Sequence, residues 1–293
     1  MDSPTVLRRR LGSELRRLRE RSGLQAKDAA NALGFSPAKV SRIESGSITL
    51  KEVDVRALLK LYGVADESDL RQFVSLARQS TQRGWWHDYG NTLPEWFQTY
   101  VGLEGDASLI RTYEPELVPG LLQTRDYARA ILEVSPPAHP ENDPERRLKE
   151  IERRLDLRMQ RQEVFQRTDP PVIQAVLSEA VLRRPVGGAE VMRAQVRNLV
   201  TVSRRPDITI QVLPSGAGAH PSMSMPFSIL SFSDVPGDIV YIEALTSSLY
   251  IEKESDIRRH ELVFERLINS AMTPEESVSW MEELAVEGYG NGG

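Results

Sequence analysis

Residues 36–45 read Ser-Pro-Ala-Lys-Val-Ser-Arg-Ile-Glu-Ser, and their spacing divides them into two sets. Val40 and Ile43 stand at i, i+3, the inward stripe of a helix, which leaves Ala38, Lys39, Ser41 and Arg42 on the outer side. Ser36 followed by Pro37 is a strong helix start, a hydroxyl N-cap with proline at the first position. The outer set suits the edges of DNA bases: Ala38 can pack on a thymine methyl, Ser41 can donate or accept, and Lys39 and Arg42 can reach guanine or phosphate. The same pattern also fits the solvated face of a plain helical bundle, so spacing alone leaves both readings open.

Other chemistry is thin. Cysteine is absent, which removes disulfides, iron-sulfur clusters and thiolate zinc sites together. His87, His139, His220 and His260 are scattered without metal-ligand spacing. Gly216-Ala217-Gly218 lacks the Lys-Ser/Thr of a phosphate loop, and no Gly-x-Ser-x-Gly elbow occurs. Glu179 and Glu243 fall near expected strand ends and could pair as carboxylates, although solvated edges explain them as well. His220 beside Pro221 reads as a surface loop histidine. The expectation is a protein that is not an enzyme, with no cofactor and no metal.

The elements that position residues 36–45 are helical. Leu7, Leu11, Leu15 and Leu18 form one stripe, and Gly23 ends that helix. A second helix covers about 25–33 and is stopped by Gly34, with Phe35 as the apolar residue of the turn. The third runs from Pro37 to about Ser45. Thr49 is expected to cap a fourth with Leu50, Val53, Ala57, Leu58 and Leu61 inside, and 66–80 reads as a fifth. Two short helices joined by a tight glycine turn are the geometry that lays the second in a major groove. Charge agrees: residues 1–83 hold 16 Lys/Arg against 10 Asp/Glu, net +6, and the remainder holds 21 against 32, net −11.

Trp85, Trp86 and Trp96 cluster between Gly84, Gly90 and Pro94, marking 84–99 as an aromatic-rich linker that packs between domains. Beyond it, strands are expected over 107–113, 172–177, 208–213, 227–232, 239–243 and 249–252. Helices are expected over 124–133, 145–167 (with Leu148, Ile151, Leu155, Met159 and Phe165 on the apolar side), 189–202, 254–271 and 274–286. A proline-rich loop covers 135–143, and 288–293 reads as a disordered tail. No run of 18 apolar residues suggests a membrane helix, and the N-terminus has no signal-peptide core, so a cytoplasmic location is expected.

The stretch GLQAKDAANALGFSPAKVSRIESG, residues 23–46, resembles the helix-turn-helix of Xre/lambda-repressor-type regulators, including the ending Val-Ser-Arg-Ile-Glu-x-Gly. Such relatives usually open the second helix with Ser or Thr and then Gln, where this chain has Gln25 and Ala26, so a side chain that supports the phosphate backbone is missing at Ala26. The resemblance implies a DNA-contacting set of Gln25, Ser36, Pro37, Ala38, Lys39, Ser41 and Arg42, with Glu44 structural and paired with an arginine. Residues 100–107, 113–128, 158–162, 178–188 and 211–214 resemble the C-terminal domain of antitoxin-like Xre regulators of actinobacteria. That implies a nucleoid-associated transcription regulator, a homodimer on double-stranded DNA, often encoded beside a small partner protein. The alternative is an antitoxin-like interaction module that binds that partner and autoregulates its operon. The expected fold is multi-domain: an all-α lambda-repressor-like helix-turn-helix domain (1–83), the linker, then an α+β regulatory or interaction domain (100–287).

Overall fold

A computed structural model of the chain describes residues 3–82, 84–136, 143–223, 225–233 and 237–289. The chain forms two compact units, one of residues 1–88, 99–106 and 232–236, the other of 89–98, 107–231 and 237–293.

The first unit begins with five helices: α1 (Pro4–Arg21), α2 (Ala26–Leu33), α3 (Pro37–Glu44), α4 (Glu52–Leu61) and α5 (Glu67–Ser80). Leu11, Leu15, Ala29, Ile43, Val55, Leu58 and Leu59 fill its core. The fourth helix departs from expectation. Its N-cap is Lys51 rather than Thr49, its inner face is Val55, Leu58 and Leu59, and Val53 is 67% exposed. Gly34 takes φ +66°, the left-handed turn that a Cβ would strain, and this lets α3 follow α2 at once. Gly12 meets a different need. A Cβ there would lie 2.4 Å from the Ile43 carbonyl oxygen and 2.6 Å from that of Glu44, so α1 crosses the end of α3 in backbone contact.

The expected linker is helical over most of its length. A 3-10 turn covers Trp85–Thr92, and α6 spans Glu95–Asp106, contributing residues 99–106 to the first unit. There Ser3, the N-cap of α1, donates its backbone N–H to Asp106 Oδ2 (2.6 Å) and its hydroxyl to the Gly102 carbonyl (3.0 Å). Trp86 is buried within this unit, while Trp85 is 37% exposed.

The second unit is a mixed sheet with helices: β1 (Leu109–Glu114), α7 (Arg125–Val134), α8 (Pro144–Arg161), β2 (Val172–Ser178), α9 (Glu179–Arg183), α10 (Ala189–Val202), β3 (Ile208–Leu213), β4 (Phe227–Ser231), β5 (Ile239–Glu243), β6 (Ser248–Ile251), α11 (Glu254–Ser270) and α12 (Pro274–Glu283). The strand order is β3-β2-β1-β4-β5-β6. β1, β2 and β3 are parallel, and β4, β5 and β6 add antiparallel on the other side of β1. Helices segregate around an α+β sheet, as the sequence indicates. One face packs Tyr113, Phe227, Ile229, Val240 and Ile242 beneath Ile257, Phe264 and Leu267 of α11.

Three smaller expectations change. α8 stops at Arg161 and continues as a 3-10 turn to Gln166; Ile151, Leu155 and Met159 pack together as expected, Leu157 is buried as well, and Leu148 is 62% exposed. Gly288 and Tyr289, expected in the disordered tail, are ordered: a π turn ends at Gly288, and Tyr289 is buried with its hydroxyl donating to the Leu182 carbonyl. Residues 137–142 of the proline-rich loop and 290–293 of the tail lie outside the described residues.

Gly12→Ala tests the helix crossing. Helix propensity alone would favour alanine by about 1 kcal/mol, whereas forcing a methyl against two carbonyls costs about 2–3 kcal/mol. A net loss in urea unfolding is expected, beside no loss for Gly105→Ala, where a Cβ meets open space. Equal stability of the two variants would show that the crossing is not tight.

Candidate nucleic-acid interface

The candidate interface is the outer side of α3 with the turn before it. Ser36 caps the helix, accepting the Lys39 backbone N–H at 3.1 Å. Val40 and Ile43, at 0% and 1% exposure, anchor the inner side. Ser36, Pro37, Ala38, Ser41 and Arg42 are all exposed; the first three lie at the positive end of the helix dipole and Arg42 in the last turn. Arg42 has no ion-pair partner among the described residues, so its guanidinium is available to an external acceptor. Gln25 is exposed as N-cap of α2, its backbone N–H held by Asp28 Oδ2 at 2.9 Å. Ala26, at the first position of α2, presents only a methyl.

Lys39 is placed differently from its neighbours. Its ammonium lies 3.3 Å from Asp54 Oδ2 on α4 and 3.4 Å from the centre of the Phe35 ring. The side chain is about one third exposed and is engaged on both sides, by a carboxylate and by an aromatic face. To reach a base edge it must let go of both. Asp54 is the residue that the motif does not reveal, because it lies 15 positions away on another helix.

Behind the surface, Arg19 of α1 and Glu44 of α3 close a bidentate pair, Nε–Oε1 2.6 Å and Nη2–Oε2 2.9 Å, and Arg19 Nη1 also donates to the Leu24 carbonyl at 2.7 Å. Both side chains are 9% exposed. Glu44 is therefore a structural residue, and its arginine is Arg19. The bonded carboxylate holds the Arg19 charge more firmly than usual. Burial pushes the neighbouring Tyr62 hydroxyl up to about 12, with the Glu44 charge adding to it. Many other cations of the head are spent internally: Arg16 on Glu20, Arg17 on Glu14, and Arg56 and Arg78 on Glu52. Lys27, in the first turn of α2, is exposed and unpaired among the described residues; a cation at a helix start could have marked it in the sequence.

The carboxylates weighed in the body do not meet. Glu179 binds Arg183 and the Ser215 backbone N–H, while Glu243 accepts the Tyr241 hydroxyl. His220 is not a plain surface residue: its ring packs edge-on to Tyr113, with Nε2 3.3 Å from the Tyr113 hydroxyl. Among the described residues no helix is long and apolar enough to cross a membrane.

Comparison with known families places a helix-turn-helix domain over residues 10–73 and a domain of unknown function, DUF5753, over residues 97–283. Searches of curated proteins and of solved structures return no match.

The buried ion pair predicts a lopsided mutational response. Glu44→Ala leaves the Arg19 charge without its partner in a nearly dry site and should cost about 3 kcal/mol of unfolding free energy. Arg16→Ala, which breaks an exposed i, i+4 pair, should cost under about 1 kcal/mol. Losses of similar size in chemical denaturation would remove the special role of Glu44.

Proposed function

We propose, for a chain that belongs to the DUF5753 family and carries a helix-turn-helix domain ahead of that domain, that it is a sequence-specific transcription regulator acting as a homodimer on double-stranded DNA. The observation that carries this reading is the exposed outer side of α3, with Arg42 of its last turn unpaired among the described residues and the inner side fully buried. A helix so presented fits one major groove, and the residues of its first turns are those that meet base edges. One short helix reads few base pairs. Two copies on half-sites about one helical turn apart supply the missing specificity. Arg42 is assigned to a guanine, Ala38 and Ser41 to neighbouring base edges, Gln25, Ser36 and Lys27 to phosphates. The reading, like the Xre resemblance behind it, includes no catalytic step and places the protein on nucleoid DNA.

A second reading concerns the body, where residues 84–293 carry net charge −11. An acidic domain of this kind suits a small basic partner protein, and DNA binding by the head would then autoregulate the pair as in antitoxin-like regulators. A short basic protein retained by the tagged chain from its own cells favours this reading; its absence leaves the dimeric regulator.

Genome-wide mapping of bound DNA, followed by gel-shift titration at fixed salt, tests the first reading. Arg42→Ala is expected to weaken the selected site by about 1–3 kcal/mol and to relax preference at one base position. Unchanged affinity refutes the assignment. Asp54→Asn releases Lys39 and should strengthen binding while steepening the salt dependence by about one counterion. An unaltered slope means that Lys39 does not reach the DNA even when freed.

A further inference from the structure

The sheet has a second face, and its composition is unusual for a buried surface. Register aligns Thr112, Ser228, Tyr241 and Tyr250 side by side across β1, β4, β5 and β6. Two residues further on, on the same face, stand Glu114 and Glu243, with Ser248 opposite Glu243. Thr112, Ser228 and Tyr241 are 3%, 7% and 5% exposed, so water does not account for their polarity. Some of it is satisfied internally. Thr112 and Ser228 share a hydrogen bond of 2.9 Å, Tyr241 donates to Glu243 at 2.9 Å, and the Tyr250 hydroxyl donates to the Trp96 carbonyl.

Two groups on this face are left over. The Ser248 hydroxyl oxygen is buried with no hydrogen-bond partner among the described residues. Glu114 is only partly exposed and has neither a hydrogen bond nor an ion pair among the described residues. Burial, with the Glu243 charge adding to it, pushes the Glu114 carboxyl up to about 8. A partly buried carboxyl without a partner costs stability. Its position is also informative. β1 is where the strand order reverses, and Glu114 ends it. β5 runs parallel to β1, so Glu243 ends at the same edge. In open sheets the crevice beyond the carboxyl ends at such a reversal is where ligands bind.

We propose that this edge is a binding site for a small organic cation, a primary ammonium or guanidinium group held between the Glu114 and Glu243 carboxylates against the Tyr241 and Tyr250 rings. Those rings lie 5.3 Å apart, centre to centre, and aromatic rings attract a neighbouring cation. The carboxylates and the Ser248 hydroxyl accept its N–H donors. The other titratable groups about Glu114 are Tyr113 and Glu116 along its own chain, and Tyr127 of α7, itself influenced by Arg158 and Arg184. Arg158 donates to Gln123 Oε1 at 2.9 Å. Binding ionises Glu114, and its proton passes to solvent. The inference concerns the body alone and stands whether or not the head binds DNA.

The test is calorimetric titration of the full chain with agmatine, which remains cationic from pH 7.0 to 8.5, at ionic strength held constant with sodium chloride. Binding is expected to be roughly eightfold tighter at pH 8.5 than at pH 7.0, the ratio of ionised Glu114 for a group titrating near 8. Buffers of different ionisation enthalpy should report proton release at pH 7.0. Glu114→Gln should abolish binding and Glu243→Gln should weaken it. Glu114→Gln removes a partly buried carboxyl that the native state must keep protonated between about pH 4.5 and 8. It should therefore unfold no more easily than the parent at pH 8, which separates lost binding from lost folding. Absence of agmatine binding at either pH overturns the proposal. So does retained agmatine affinity in a folded Glu114→Gln variant, which would show that Glu114 does not hold the cation, or equal binding of the uncharged analogue butylurea, which would show that charge is not recognised.

Discussion

The head depends on a crossing that leaves no room for side chains. Where α1 passes the end of α3, Gly12 lies directly against the carbonyls of Ile43 and Glu44. Two turns further along α1, Arg19 closes on Glu44 from the same helix surface. The first contact sets how near the helices come, and the second fixes their rotation about one another. With α3 held at its C-terminal end in this way and Val40 and Ile43 sunk in the core, the exposed start of the helix has little freedom to tilt. A buried ion pair is a weak source of net stability compared with apolar packing. Its value here is geometric, because a bidentate guanidinium–carboxylate contact tolerates only a narrow range of orientations.

Much of the head was legible in the sequence because its signals are local. Ser36-Pro37 starts α3, Gly34 ends α2, and the leucines of α1 show their face directly. The inner face of α4 was harder to read. Val53 fits an apolar stripe with Ala57 and Leu61 and Val55 one with Leu58, and only the packing of Val55 decides between them. Leu148 failed for a related reason: periodicity identifies an apolar face but not whether every turn of it is covered. Helix α6 was hidden by Gly102 and Gly105, which lower helix propensity in a segment already marked by aromatics as a boundary.

The candidate sites show the same division. The exposed residues of α3 follow from spacing. The tether of Lys39 does not, because Asp54 comes from another helix. In the body, His220 finds Tyr113 from 107 residues away, and Glu114 comes under the influence of the Glu243 charge only once β4 has been inserted between their strands. An isolated glutamate at a strand end looks like any solvated edge residue. Its partial burial and its lack of a partner among the described residues are properties of the assembled sheet.

The strand order bears on how the chain comes to be folded. β1 is central, yet one of its neighbours, β4, joins it through contacts such as Thr112 to Ser228 that span 116 residues. Closing so long a loop carries an entropy cost before any contact repays it, and sheets of high contact order form slowly. During synthesis β1 emerges early and must wait for most of the body before its second edge is covered. The five leading helices, whose contacts lie within about eighty residues, face no such delay. A nascent chain therefore passes through an interval in which α3 is already in place while the central strand still has a bare hydrogen-bonding edge, the form of this protein most open to chaperones and to aggregation.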